Sequence, residues 1–498
     1  MTTDSATAVF LSQATALLGE RAVLTDAEGF APYATDWRQK FFGRPAAVVF
    51  PSTTREVAEL VRLANQQSVA LVPQGGNTGL SGGATPDESG RQVILNLSRM
   101  TRIRARDQDN KTITVDAGVT MQTVQEEADR MGLTFPLNLT ARGTATIGGN
   151  LSTNAGGTAV LRYGNARALC LGIEVVTAEG QVWDGLRGLR KDNTGYDLRD
   201  LFVGAEGTLG IITGAVMALH PKPAGVMTAL ACLPDPEPAQ AAARAVALLQ
   251  VAQECCTASL TGFEFMTPAS MNPVSDYYPQ FARPASLGSA DQSCVLLEVS
   301  HAESEQAATA MLERVLDIAL QGSLVADALV AQSLQQAQAF WDLREHITMA
   351  AAEDGLQVKF DIALPISSIA EFCQVAQQRL LQAYPGIRLS NFGHLGDGNL
   401  HFNVAAPAHL SKGLDRQGRH EAYRAYVKAN EDGIRRIVHD EVVARQGSIS
   451  AEHGLGILRR DEAAHYKSPV EIELMRKIKQ ALDPNNILNP NKVLRTPS

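Results

Sequence analysis

The chain has 498 residues, of which 45 % are hydrophobic and 19 % charged, as is typical of a water-soluble enzyme with two or three domains. Its formal net charge is −9, and it lacks the basic run that a nucleic-acid-binding face requires, which excludes that class. Six cysteines without a C-x-x-C pair exclude a zinc ribbon and favour a reducing compartment. No targeting peptide or apolar run of about 18 residues is visible, so we expect a cytoplasmic protein without a transmembrane segment.

The N-terminal part predicts alternating strands and helices that are separated by glycine-rich loops. Residues 46–73 predict strand, helix, strand: Thr53 and Glu56 form a capping box at the helix start, and Pro73 ends the second strand. A strand is predicted over 111–116 and a helix over 120–131. Glycine-rich loops lie at 75–83, 143–157 and 204–210.

The remaining chain predicts a second α+β domain. Five prolines between 221 and 238 mark the boundary. Helical stretches at 239–256, 303–321, 326–354 and 367–383 then alternate with short strands at 295–299, 358–362 and 400–404. We therefore expect domains at 1–223 and 224–455, followed by a C-terminal segment at 456–498.

The glycine-rich loops are typical of a site where backbone approaches a phosphate closely. The loop at 75–83 directly follows a predicted strand. A Rossmann fingerprint is excluded, because that motif opens a helix and no helix is predicted after this loop. A P-loop is excluded because no Gly-Lys-Ser/Thr follows the glycines. Three such loops in one domain favour a phosphate-bearing cofactor.

The segment Pro73-Gln74-Gly75-Gly76-Asn77-Thr78-Gly79-Leu80-Ser81-Gly82-Gly83, with the two later loops, resembles the FAD-binding domain of the vanillyl-alcohol oxidase / p-cresol methylhydroxylase superfamily. The resemblance implies a bipartite α+β FAD-binding domain, an α+β substrate (cap) domain and a C-terminal segment that returns to the flavin. FAD should be non-covalent, because residues 69–100 contain no histidine or cysteine. The residues that the resemblance assigns to FAD are Pro73, Gly75, Gly76, Asn77, Thr78, Gly79, Gly82, Gly149, Asn150, Asn154, Gly156, Gly157, Glu206, Gly207, Ile212 and Asn489.

A metal site is predicted around the segment 394–401. Gly396-Asp397-Gly398 has the residues of a tight turn, which can bring His394 back beside His401. Two imidazoles that face one space suit a zinc-like ion, and we choose Glu452 as the third ligand. This donor set leaves open positions, as in catalytic sites, and by itself also fits a zinc hydrolase, a non-haem iron oxygenase or a non-catalytic binding subunit.

Residues 40–494 also resemble the FAD-linked D-2-hydroxy-acid dehydrogenases. That resemblance implies the metal ligands His394, His401 and Glu452, and His453 as the catalytic base. Zinc is the expected ion, and manganese and iron are the alternatives that the same ligands suit. It further implies substrate contacts from Arg344, Thr348, Lys359 and Asn403.

The expected reaction is oxidation of a D-2-hydroxy acid, D-2-hydroxyglutarate to 2-oxoglutarate, by metal-assisted deprotonation of the hydroxyl and hydride transfer to flavin N5. D-lactate, D-malate and glycolate are the alternative substrates. The resemblance also implies an electron acceptor such as an electron-transfer flavoprotein or a quinone, and it leaves a homodimer open.

Overall fold

The computed structural model describes residues 5–235 and 237–495. The chain forms two compact units, each with its own core. Unit 1 contains the chain up to Gly157, then Tyr163–Lys222, then the chain from Glu452 onwards. Unit 2 contains Thr158–Arg162 and Pro223–Ala451. The unit boundary at 451/452 differs from the predicted domain boundary at 455/456, and the predicted domains stay a prediction.

The helices and strands up to residue 222 are α1 (Ser5–Leu18), β1 (Val23–Leu24), α2 (Ala31–Ala34), β2 (Ala47–Val49), α3 (Thr54–Gln67), β3 (Leu71–Gln74), β4 (Val93–Asn96), β5 (Ile103–Asp107), β6 (Thr112–Asp116), α4 (Met121–Arg130), β7 (Leu133–Thr134), α5 (Ile147–Thr153), α6 (Val160–Tyr163), α7 (Ala166–Leu169), β8 (Cys170–Val176), β9 (Val182–Gly185), α8 (Arg199–Phe202), β10 (Ile211–Ala218) and β11 (His220–Pro221).

The later elements are β12 (Gly225–Cys232), α9 (Pro238–Cys256), β13 (Leu260–Met266), α10 (Pro268–Tyr277), β14 (Cys294–His301), α11 (Glu305–Gln321), β15 (Asp327–Val330), α12 (Leu334–Asp354), β16 (Gln357–Val358), β17 (Ile362–Ala363), α13 (Ile369–Ala383), β18 (Arg388–Gly393), β19 (Asn399–Ala405), α14 (Arg416–Ala444), α15 (Arg460–Tyr466) and α16 (Pro469–Leu482).

Unit 1 contains two larger sheets. The first has the strand order β1-β2-β4-β3, and β4 pairs in parallel with both β2 and β3. The second is antiparallel and has the order β5-β6-β10-β8-β9. The apolar face of α3 is buried in the core with strand residues such as Leu71 and Leu95.

The start of α3 agrees with half of the predicted capping box. The Thr53 side chain accepts a hydrogen bond from the Glu56 backbone N–H, as an N-cap does. The Glu56 carboxylate instead accepts from the backbone N–H of Ser52, at 2.6 Å. The prediction that Pro73 ends the second strand is wrong, because Pro73 lies within β3, paired with Leu95. β3 is at the edge of its sheet, where a residue without an N–H is tolerated.

Unit 2 is built on an antiparallel sheet of eight strands. Seven follow the order β15-β12-β14-β13-β18-β19-β16, and β17 pairs with β19. The helix α12 packs its apolar residues Phe340, Leu343 and Ile347 against one face of this sheet. That face carries Met266 of β13 and Phe392 of β18.

Two sequence-based assignments in unit 2 need correction. The predicted helix over 326–354 begins only at Leu334, after Ser333 caps it, because residues 327–330 form β15 and pair with β12. The predicted strand over 358–362 is divided between β16 and β17, which pair with different parts of β19.

Candidate active site

Unit 1 contains a partly open cavity between its glycine-rich segments. Its wall is formed by the loop after β3, residues along α5 with its N-cap Thr146, the segment 206–212 and one histidine of the C-terminal segment. Twelve of the predicted site residues line it together: Pro73, Gly75, Gly76, Asn77, Thr78, Gly79, Gly149, Asn150, Glu206, Gly207, Ile212 and His453. The wall does not include Gly82, Asn154, Gly156, Gly157 and Asn489.

Glycine is required in this wall by close backbone approach. A Cβ on Gly76 would lie 1.9 Å from the carbonyl oxygen of Thr144, and a Cβ on Gly75 would lie 2.3 Å from Oγ1 of Thr146. Thr146 cannot retreat freely, because its side chain caps α5 by accepting from the Gly149 N–H. The loop therefore packs against the start of α5 without side chains between them.

The turn that carries His453 is fixed by a buried carboxylate. Glu206 accepts hydrogen bonds from the backbone N–H groups of Leu455, at 2.7 Å, and Gly456, at 2.9 Å. Ser81 Oγ donates to the carbonyl oxygen of His453. Burial raises the pKa of Glu206 to about 7, although the two N–H groups and the cation of Lys492 oppose this shift. The predicted role of Glu206 at the cofactor stays a prediction, but its carboxylate also holds the His453 turn.

Asn489 lies behind the cavity wall and joins two of its segments. Its side-chain amide donates to the carbonyl oxygens of Gly83, at 2.9 Å, and Glu206, at 2.8 Å. Asn154 has a comparable structural position: it ends α5 in a left-handed conformation, and its Oδ1 accepts from the Arg167 N–H. Their predicted roles in FAD binding stay predictions.

Several residues of the wall were not among the predicted contacts. Gln74, Ser81 and Gly83 lie within the quoted motif, so the loop pattern could have indicated them. Thr146, Ser152 and other residues of the second stretch carry no individual signal in the sequence. The additional wall residues are Gln74, Leu80, Ser81, Gly83, Ala84, Leu97, Ala117, Thr146, Gly148, Ser152, Thr153, Gly210 and Ile211.

In unit 2, the predicted hairpin around Gly396-Asp397-Gly398 is confirmed. β18 and β19 pair antiparallel with Phe392 opposite His401, and Gly398 has φ 85°. The ring centroids of His394 and His401 are 5.8 Å apart. Gly393 precedes His394 with φ 144°, a conformation that favours glycine. The turn thus brings both predicted histidine ligands together.

A carboxylate that the sequence did not indicate lies beside them. Glu264 on β13 is 1 % exposed, and its Oε1 is 2.5 Å from Nδ1 of His394. Its Oε2 accepts from Nε of Arg344 at 2.7 Å. Burial would raise the pKa of Glu264, but His394 and Arg344 outweigh it and lower the pKa to about 2. Nothing in Gly262-Phe263-Glu264-Phe265 distinguishes this glutamate from a surface residue of an amphipathic strand.

The four predicted substrate residues all belong to unit 2. Arg344 is 7 % exposed and lies on α12, and Thr348 follows one turn later with an exposed side chain. Lys359 is half-buried between β16 and β17. Asn403 is buried on β19, and its Oδ1 accepts from the backbone N–H of Phe360, next to Lys359.

The pairing registers place several of these groups on one sheet face. Phe392 is opposite both Met266 and His401, and Asn403 is two residues beyond His401. Because alternate residues of a strand share a face, Glu264, Phe392, His401 and Asn403 lie on the face that α12 covers. Arg344 therefore reaches this face from α12.

The predicted third metal ligand, Glu452, lies at the start of the last segment of unit 1. It directly follows Ala451, the last residue of unit 2, whose backbone N–H donates to the carbonyl oxygen of Asp361. Glu452 and His453 are consecutive, so the predicted ligand and the predicted base belong to the turn that Glu206 holds.

Comparison with known proteins agrees with this arrangement. Residues 45–185 match the model of an FAD binding domain, and residues 222–493 match the C-terminal domain of FAD linked oxidases. A mitochondrial D-2-hydroxyglutarate dehydrogenase of Arabidopsis thaliana is 38 % identical over 96 % of this chain and 80 % of its own length. A Schizosaccharomyces pombe protein, provisionally named a mitochondrial D-lactate dehydrogenase, is 34 % identical over 94 % and 85 %. The crystal structure of p-cresol methylhydroxylase has a TM-score of 0.76 at 19 % identity and covers 99 % of this chain and 98 % of its own.

The two matched domains and the shared fold identify a flavoprotein with the fold of p-cresol methylhydroxylase. The chain belongs to the FAD-linked oxidase family and, within it, to the FAD-linked D-2-hydroxy-acid dehydrogenases. In the described ranges 5–235 and 237–495, we find no helix that combines the length and the apolar character needed to cross a membrane.

Proposed function

We propose that this enzyme oxidises D-2-hydroxyglutarate to 2-oxoglutarate. The observation that carries the proposal is the buried Arg344, which lies in unit 2 beside a histidine pair of the metal-binding type. A second cation, Lys359, is half-buried in the same unit. A substrate with two carboxylates needs more than one cationic contact, and the guanidinium can bind a carboxylate through two parallel hydrogen bonds.

FAD fits the cavity of unit 1. The wall is rich in backbone N–H groups from glycine-rich turns, which attract anionic phosphates, and it includes His453. When bound, FAD supplies the hydride acceptor, and the protein supplies placement and charge. We assign His453 the removal of the hydroxyl proton, because an imidazole titrates near neutral pH and suits a general base.

We further propose that His394, His401 and Glu452 hold a divalent cation, with zinc as the expected ion. Two imidazoles and one carboxylate form a donor set of the catalytic zinc type. The contact between Nδ1 of His394 and Glu264 supports this, since metal-binding histidines usually donate their other ring N–H to a carboxylate. A cation there would act as a Lewis acid towards the substrate hydroxyl.

Arg344, Thr348, Lys359 and Asn403 would then orient the anionic substrate. Arg344 already gives its Nε to Glu264, so its terminal nitrogens are the groups that we assign to a substrate carboxylate. An electron-transfer flavoprotein or a quinone as electron acceptor, the cytoplasmic location and a homodimer stay proposals from the sequence.

A D-lactate dehydrogenase activity is the second candidate. The name of the Schizosaccharomyces pombe relative favours it. D-lactate has one carboxylate, so it would leave one of the two cations, Arg344 or Lys359, without a substrate partner. Glycolate also has one carboxylate. D-malate has two, but they are closer together than those of D-2-hydroxyglutarate.

Substrate comparison tests the proposal. We would measure kcat/KM with an artificial dye as acceptor for D-2-hydroxyglutarate, D-malate, D-lactate and glycolate. We expect the highest value for D-2-hydroxyglutarate, and we expect the substitution Lys359→Ala to reduce it more than it reduces the value for D-lactate. A higher kcat/KM for D-lactate would contradict the proposed substrate and favour the second candidate.

A further inference from the structure

Glu264 connects two functional side chains that come from different elements. It lies in the middle of β13, while Arg344 belongs to α12 and His394 follows β18. Each carboxylate oxygen contacts one partner, at 2.7 Å from Nε of Arg344 and 2.5 Å from Nδ1 of His394. With 1 % of its surface exposed, Glu264 has little access to water as an alternative partner.

For His394, the contact decides which ring nitrogen can bind a metal. An ionised carboxylate only accepts hydrogen bonds, so Nδ1 of His394 must carry the proton. The lone pair of the neutral ring is then on Nε2, and the hydrogen bond also limits rotation of the ring. Without the carboxylate, the ring could adopt the other tautomer or turn away.

For Arg344, the contact fixes the plane of the guanidinium. Nε is held by Glu264, and the guanidinium carbon lies 5.0 Å from the ring centroid of Phe392. The same ring is 4.9 Å from His401. Loss of the carboxylate would leave a buried cation without its partner, which is strongly unfavourable and would change the position of the guanidinium.

We propose that Glu264 is a positioning residue that sets both the metal affinity of the His394–His401 pair and the affinity for a substrate carboxylate at Arg344. The inference rests on the proposed function, because it takes the metal and the anionic substrate from there. Beyond that function, one buried carboxylate controls the binding of both the metal and the substrate.

A matched control is available on the same sheet face. Glu298 on β14 is opposite Gly262, two residues before Glu264, and therefore shares the face of Glu264. Its carboxylate accepts from Nε1 of Trp341, at 2.8 Å, and from Oγ1 of Thr261, at 3.1 Å. Neither contact involves His394 or Arg344, so Glu298→Gln removes a nearby carboxylate without touching the proposed ligands.

The test measures metal binding directly. Wild type, Glu264→Gln and Glu298→Gln, each holding FAD, are freed of metal by a chelator and titrated with Zn²⁺ in competition with a chromophoric chelator. We expect Zn²⁺ binding to weaken by about 10- to 100-fold in Glu264→Gln, the usual effect of removing such a hydrogen-bond partner, and to stay unchanged in Glu298→Gln. At saturating Zn²⁺, KM for D-2-hydroxyglutarate should rise in Glu264→Gln. Equal Zn²⁺ affinity in wild type and Glu264→Gln would overturn the inference.

A second measurement does not depend on the stability of a variant. In wild-type protein with ¹⁵N-labelled histidine, NMR reports the tautomer of each imidazole, and a His394→Gln variant assigns the signal. We expect the metal-free His394 ring to carry its proton on Nδ1, whereas a proton on Nε2 would overturn the inference. A wild-type protein that binds no divalent metal would instead refute the metal proposal itself, so the two failures are distinguishable.

Discussion

Glu206 predicts an unusual pH dependence of stability in unit 1. Burial raises the pKa of this carboxyl from its ordinary value of 4.5 to about 7. The folded protein therefore holds a proton that the unfolded chain releases above pH 4.5. The contribution of Glu206 to stability is fully present below pH 4.5 and is lost as the pH rises through about 7.

The substitution Glu206→Gln removes this titration while it keeps the size of the side chain. For pKa values of 4.5 and about 7, linkage gives a loss of about 2 kcal/mol in the wild type between pH 5 and pH 7. In the wild type, Lys492, whose pKa burial lowers to about 8, stays mostly protonated up to pH 7. The stability difference between wild type and Glu206→Gln should therefore shift by about 2 kcal/mol in favour of the variant.

Urea unfolding of the FAD-bound proteins at pH 5 and pH 7, followed by the fluorescence of released flavin, measures this difference. Glu174→Gln is the control in the same unit. The pKa of Glu174 is raised by burial but lowered more strongly by Arg104 and two hydroxyl partners, so its contribution is lost only as the pH falls below about 4.5. An equal difference between the free energies of unfolding of wild type and Glu206→Gln at pH 5 and at pH 7 would refute the reasoning.

Three further predictions concern the cavity and its histidine. Gly76→Ala should weaken FAD binding at least about tenfold, since the clash of its Cβ with the Thr144 carbonyl exceeds about 1.4 kcal/mol. Gly143→Ala, whose Cβ would meet only the end of the Gln122 side chain, at 3.2 Å, should bind FAD normally, and equal affinities would contradict the packing argument. Asn489→Ala removes the donor to two carbonyl groups and should lower the free energy of unfolding in urea by about 2–4 kcal/mol. Asn491 is exposed and has the same left-handed backbone conformation, so Asn491→Ala should lower the free energy of unfolding much less. His453→Ala should lower turnover by about two to four decades with FAD still bound, and near-normal turnover would exclude His453 as the base.

Local sequence rules predicted those parts of the fold that local contacts determine. The cap of α3 at Thr53 and the hairpin turn at 396–398 depend on neighbouring residues, and both are present. Pro73 lies inside a strand because β3 is at the sheet edge, where the missing N–H of proline costs no ladder hydrogen bond. The sequence did not reveal this, because strand order depends on distant parts of the chain. The 29-residue helix α14 was not predicted, since its residues are mostly polar and its apolar stripe is narrow.

In the candidate site, too, local features were predictable from the sequence and long-range contacts were not. The glycine loop after β3 was recognisable because close backbone approach demands glycine in a short stretch of chain. Glu264 was not recognisable, because its partners are 80 residues away at Arg344 and 130 residues away at His394. Glu206 was predicted as a cofactor residue, but its contact with Leu455 joins positions 249 residues apart and could not be read from either motif.

We infer that this flavoprotein takes its electrons from a D-2-hydroxy acid with the help of a metal. Anaerobic titration of the purified protein with D-2-hydroxyglutarate, monitored by the visible absorbance of its FAD, tests this most directly. We expect the D-enantiomer, but not the L-enantiomer, to bleach the flavin absorbance. The bleaching should be lost after chelator treatment and should be restored when Zn²⁺ is added. Flavin that stays oxidised with D-2-hydroxyglutarate, or bleaches equally fast after chelation, would contradict the account.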